Sequence, residues 1–112
     1  MFVAYEVSIE LNRQLRPIVN AIKRNDLELA DQMHRAAMSI TLNLSEGARC
    51  TGGIRRKRYE TAHGSASEVK GSLDLAEVYG WIEDTTEVRK ILDRQLALLW
   101  GLTHSKNLQR IS

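Results

Sequence analysis

The sequence predicts an all-α protein, an up-down antiparallel four-helix bundle. Three observations lead there. Apolar residues recur at spacings of three and four in four separate segments, and no stretch alternates with period two. The connections between the segments are 3–8 residues long, which favours antiparallel neighbours. At 112 residues, 43% of them apolar, the chain fits one domain with one core, spanning residues 1–112.

The first helix is expected over about 3–24, where Val7, Leu11, Leu15, Ile18 and Ile22 step by four, four, three and four. Pro17 falls inside it and should kink the helix or loosen one turn. Asn25 or Asp26 caps the second helix, about 27–46, with Glu28 at capping-box spacing from Asn25. Gly47 is read as its terminator. Its core face is Leu29, Met33, Ala36, Ala37, Ile40 and Leu44, while Leu27, Met38 and Leu42 point roughly the other way. The third helix, about 54–79, carries the narrow seam Tyr59, Ala62, Ala66, Val69, Leu73 and Ala76, and Gly80 ends it. A second stripe, Gly64, Ser67, Gly71, Leu75 and Val78, lies nearly opposite. The fourth helix, about 85–107, follows Asp84 with Glu87 at the capping-box position. Its apolar arc spreads over Leu96, Leu98, Leu99 and Trp100.

A helix in a four-helix monomer needs one buried stripe, so the second stripes require another partner. Glycine inside a helix costs roughly 0.5–1 kcal/mol relative to Ala, which points to a close backbone at Gly64 and Gly71. A symmetric homo-oligomer is expected, with Met38, Leu42, Gly64, Gly71, Leu75 and Trp100 at its interface.

Composition narrows the function. One cysteine, Cys50, leaves no internal disulfide and no cysteine-rich zinc site. No charge-free run reaches the roughly 18 residues of a membrane span, and MFVAYEVSIE carries acid rather than base before any apolar stretch. A soluble cytoplasmic protein is expected. Glu60-x-x-His63 and Asp31-x-x-His34 resemble the Glu-x-x-His pairs of di-metal bundles, the route by which the chain would be an enzyme. Glu60 and Asp31 lie about 150° and 165° from their core seams at 100° per residue, so they would not converge. Cys50 stands beside Arg49 without a histidine near in sequence, and Gly52-Gly53 lacks the frame of a phosphate loop. The chain is therefore expected to be no enzyme, with no metal and no cofactor.

Charge is what remains. The net charge of +2 is concentrated in residues 47–70, which carry six basic and two acidic side chains. Arg55, Arg56, Lys57 and Arg58 occupy the start of the third helix, with Arg49 just upstream. A helix N-terminus is already partly positive, so each cation there costs a few tenths of a kcal/mol, up to roughly 1. Two readings stand: a solvated helix start partly neutralised by Glu46 and Glu60, or a patch for an anion such as a phosphate backbone. An acidic protein surface would suit the patch as well, in a scaffold with no nucleic-acid role.

Four segments also carry a resemblance: Arg35-Ala36-Ala37-Met38-Ser39-Ile40, Asn43-Leu44-Ser45-Glu46-Gly47, Gly64-Ser65-Ala66-Ser67-Glu68, and Ala76-Glu77-Val78-Tyr79-Gly80-Trp81-Ile82. Their order and spacing are similar to the bacterial four helix bundle protein family, the 23S rRNA intervening-sequence proteins. The accessory variability determinant of diversity-generating retroelements is a relative of that family. The resemblance spans about residues 3–105. It implies a four-helix bundle assembled as a homopentameric ring and does not imply catalysis; the retroelement relative binds nucleic acid and works with a reverse transcriptase, so RNA or DNA and such a protein are the partners it suggests. That relative is strongly basic and this chain is not, so a nucleic-acid role here rests on the local cluster. Asn43, Glu46, Gly47, Gly64, Ser65 and Glu68 are its signature positions. Asn43 is expected to hydrogen-bond across a helix boundary, and Glu46 to pair with Arg35 or one of residues 55–58.

Overall fold

The computed structural model describes residues 1–104, which form α1 (Val3–Lys23), α2 (Leu27–Ala48), α3 (Gly52–Val78) and α4 (Thr86–His104). Each helix packs against its two neighbours in the cyclic order α1, α2, α3, α4. The result is an elongated four-helix bundle, 46 × 23 × 22 Å. The expected continuation of the fourth helix through residues 105–107 lies outside the described residues.

Pro17 does not interrupt α1, which is helical on both sides of it. Pro17 and Arg13, whose carbonyl loses its helical donor, are both exposed, so water can take the unpaired group. At the first corner Asp26 is the cap, its Oδ1 accepting from the Leu29 N–H at 2.9 Å. The backbone of Asn25 and Asp26 closes on the Ile22 carbonyl, each at 2.9 Å.

The end of α3 is a Schellman turn. The Trp81 N–H reaches the Ala76 carbonyl and the Gly80 N–H the Glu77 carbonyl, both at 2.9 Å. Gly80 adopts φ 73°, the left-handed conformation that only glycine takes without strain. Thr85 precedes α4 and its carbonyl accepts the first helical bond, from Arg89 at 2.9 Å. Glu87 does not close a capping box, and its carboxylate faces Lys90 at 3.4 Å instead. The α3–α4 corner is tied by side chains: Arg89 lies 3.0 Å from both Asp74 and Glu77, and the Thr85 hydroxyl donates to Glu77. The bond from Thr85, then the one from Arg89, holds the Glu77 carboxyl below the usual carboxylate range.

Inside, large side chains from three helices meet a seam of small ones. Leu11, Leu15 and Ile22, then Met33, Ile40 and Leu44, then Leu92 and Leu99 surround Ala62, Ala66 and Ala76 of α3. Full burial of one such Leu or Ile contributes about 1.5–3 kcal/mol. All six residues of the expected α3 seam are buried, whereas Ile18 and Leu29 sit half-exposed at the core edge. None of the helices among the described residues is long and apolar enough to cross a membrane.

Candidate interaction surface

The α2–α3 corner sets the position of the basic segment. α2 runs on through Gly47 to Ala48, so Gly47 is not the terminator expected of it. Its role is a close approach. A Cβ there would lie 2.5 and 2.8 Å from ring carbons of Tyr59 and 3.2 Å from the Arg58 Cβ. Tyr59 in turn is buried against Phe2, ring centroids 6.0 Å apart. Burial raises the Tyr59 phenol pKa, with the Arg55 charge opposing part of the effect. α3 begins at Gly52, two residues before the expected start; Gly52 itself takes φ 60°, a conformation glycine adopts without strain, where the chain reverses after Arg49–Thr51.

The five expected cations have different surroundings. Arg55 turns back onto α2: its Nε donates to the Gly47 carbonyl at 3.1 Å and a terminal nitrogen to the Ala48 carbonyl at 3.2 Å. It therefore caps the negative end of α2 while standing at the positive end of α3. Arg49 pairs with Glu46 at 2.8 Å, and Arg56 approaches Glu60 at 3.8 Å, both pairs solvent-exposed. Lys57 and Arg58 are exposed and make no ion pair among the described residues.

The signature residues are nearby. Asn43 does not bond across the helix boundary; its Nδ2 donates within α2, to the Ser39 carbonyl at 2.9 Å and the Ser39 hydroxyl at 3.1 Å. The crossing is made by Ser65, whose hydroxyl donates to that of Ser39 at 2.8 Å. A side chain four residues from its partner on one helix reaches it more easily than a neighbouring helix. Glu46 pairs with Arg49, and Arg35 with Asp31 at 3.0 Å, so neither expected Glu46 pairing forms. Glu68 is exposed, and Glu60 and Asp31 both face outward toward their arginines. His34 is exposed and His63 lies against Trp100, centroids 6.2 Å apart.

The second stripes stay uncovered. Met38, Leu42, Leu75 and Trp100 are 40, 63, 50 and 56% exposed, and Val78 is 80% exposed. A Cβ at Gly64 or Gly71 would meet nothing within 4 Å, so no backbone among the described residues explains these glycines.

Sequence reasoning missed three polar features. Asn12 donates to the Ala37 carbonyl at 2.9 Å and to Thr41 at 3.2 Å, and Thr41 donates to Ser8 at 2.8 Å, lacing α1 to α2. Gln95 sits fully buried in the core, its Nε2 on the Ala4 carbonyl at 3.2 Å and its Oε1 without a donor. The third is the Arg89 cluster. An Asn and a Gln at core-flanking helical positions were the available signal for the first two.

The chain matches the family described as 23S rRNA-intervening sequence protein over residues 2–101. No curated protein and no solved structure matches it.

Proposed function

The chain belongs to the 23S rRNA-intervening sequence protein family, and on that premise we propose that it is a non-enzymatic, self-assembling RNA-binding protein. The observation that carries the reading is the exposed pair Lys57 and Arg58, which has no ion-pair partner among the described residues. Arg49 and Arg56 flank it in exposed ion pairs, each worth at most about 1 kcal/mol and so readily exchanged for phosphate. Assembly would use the outward faces of α2 and α3, where Met38, Leu42 and Leu75 are uncovered and the open Gly64 and Gly71 admit a close neighbour. A ring of five copies would repeat the cations and sum their field.

Fluorescence anisotropy with a structured RNA across a salt series tests the binding. Expected is affinity that falls steeply with salt, and a log–log slope reduced by about two in the Lys57→Gln, Arg58→Gln variant. No binding at low salt, or an unchanged slope, overturns it. Sedimentation reporting a stable monomer at micromolar protein overturns the assembly.

A second reading is a protein-interaction scaffold without a nucleic-acid role. What favours it is Arg55, which the α2 carbonyls occupy, leaving a smaller patch beside a broad apolar face. Recovery of one protein partner after nuclease treatment, with no RNA shift, would support it.

A further inference from the structure

Between α1 and α2, at the end of the bundle away from Lys57 and Arg58, runs a half-open trough of about 400 Å³. Leu15, Ala30 and Ala37 close its base, only 1, 3 and 2% exposed, and its open apolar surface comes from Val19 and Leu27. Asn12 closes one end by its bonds to Ala37 and Thr41, and the lining reaches Lys23 near the corner. The eleven helical steps from Asn12 to Lys23 make that span about 16 Å long. The volume lies within the roughly 300–1,000 Å³ of small-ligand pockets.

The trough has an apolar floor and a cationic rim. Arg16 and Lys23, two helical turns apart on one side of α1, both line it and are exposed. Neither makes an ion pair among the described residues. The acidic lining residue is Asp31, and Arg35 holds its carboxylate at 3.0 Å. The charge left over at the rim is therefore positive. Asn20 and His34 add polar groups to the two walls, and Leu27, 67% exposed, forms an apolar lip.

We propose that this trough binds an amphipathic organic anion. A carboxylate, sulfonate or phosphate head would sit on Arg16 or Lys23, and an apolar chain or ring would lie on Val19 and Leu27, over the closed base of Leu15, Ala30 and Ala37. Neither end alone accounts for the site: a purely apolar guest leaves the two cations unused, and a bare inorganic anion leaves Val19 and Leu27 facing water.

The test is a titration of the isotope-labelled protein followed by amide chemical shifts, with octanoate as the probe. Expected is a Kd of about 1 mM or tighter, set by the size of the probe, with shifts confined to α1 and the first half of α2. Octyltrimethylammonium, acetate and inorganic phosphate should each bind at least about tenfold more weakly. The Arg16→Gln, Lys23→Gln variant changes two exposed side chains and should keep its melting temperature while losing about tenfold in octanoate affinity. Val19→Glu, which puts an anion on the floor, should abolish binding. Equal binding of octyltrimethylammonium, shifts that map elsewhere, or affinity unaltered in the double variant would overturn the proposal. Phosphate that reproduced the octanoate shifts would do the same, by reducing the site to a surface anion contact.

Discussion

Substituting Gly47 with Ala tests whether α2 and α3 meet there as closely as the structure has them. Two effects oppose each other. Gly47 is inside α2 with an ordinary helical backbone, so Ala would gain roughly 0.5–1 kcal/mol of helix propensity. Against that, the new Cβ would lie 2.5 Å from one Tyr59 ring carbon and 2.8 Å from another. The ring cannot swing away cheaply, because Tyr59 is only 4% exposed and packs on Phe2. Overpacking costs about 1–3 kcal/mol, and contacts this short belong in the upper half of that range, about 2–3 kcal/mol, so the net effect is a loss of about 1–2.5 kcal/mol. For a domain of this size that lowers Tm by about 4–10 °C, read by circular dichroism melts and urea titration. In a Tyr59→Leu background the clash is removed, and the same Gly47→Ala change should become neutral or stabilising. The matching controls are Gly64→Ala and Gly71→Ala. With nothing within 4 Å, each should stabilise a single chain. If the assembly face passes over them, they should instead weaken self-association. A Gly47→Ala protein that melts at or above the parent temperature would refute the close approach and return Gly47 to the role of a helix terminator.

Arg55→Ala should cost about 0.5–1.5 kcal/mol in urea unfolding by uncapping α2, and Arg55→Lys should recover only part, since one ammonium does not reproduce two guanidinium bonds. Unaltered stability would contradict the cap. Gln95→Leu should be neutral or stabilising by up to about 1 kcal/mol, because it removes a buried oxygen that has no donor; a loss above about 1 kcal/mol would contradict that. Glu77 has a folded pKa below its unfolded value, so its contribution is present above the usual carboxylate range, about pH 4.3, and is lost as pH falls through the depressed folded value. The Tm gap between parent and Glu77→Gln should therefore be open at neutral pH and narrow in acid, and a gap independent of pH would sink the assignment.

The helices were legible because their period is written in large apolar residues, which report burial directly. Tyr59 through Ala76 read as one seam and pack as one. Corners were harder, because a corner depends on which side chain reaches which backbone. Gly47 looked like a terminator since glycine commonly follows the last helical turn. What decides otherwise is Tyr59, twelve residues on, and no local pattern encodes that approach. Glu87 had the spacing of a capping box, yet the α3–α4 corner is held by Arg89 with Asp74 and Glu77 of the preceding helix. The trough escaped notice for the opposite reason: its lining is shared between two helices, and no pattern along either one reports the space between Arg16 and Lys23 of α1 and Leu27 of α2.

The basic segment illustrates how far a single-helix electrostatic argument reaches. With α3 starting at residue 54, four cations in its first turn would oppose its dipole and look like an unexplained penalty; α3 in fact starts at Gly52, so only Arg55 stands in the first turn and Arg56, Lys57 and Arg58 lie in the second. The tight corner changes the sum. It brings the carbonyl end of α2 beside the N–H end of α3, so opposite ends of two dipoles nearly cancel and a cation can serve the neighbouring helix. Arg55 does so through Gly47 and Ala48. Arg56 is offset by Glu60 one turn along the same helix. The anomaly then contracts to Lys57 and Arg58. Two exposed cations cost too little to demand a function on energetic grounds, so the RNA reading stands on their availability, not on strain. That is why the two-charge change in salt slope is the informative measurement: it counts the only cations of the cluster that the fold leaves without an ion pair or a carbonyl partner among the described residues.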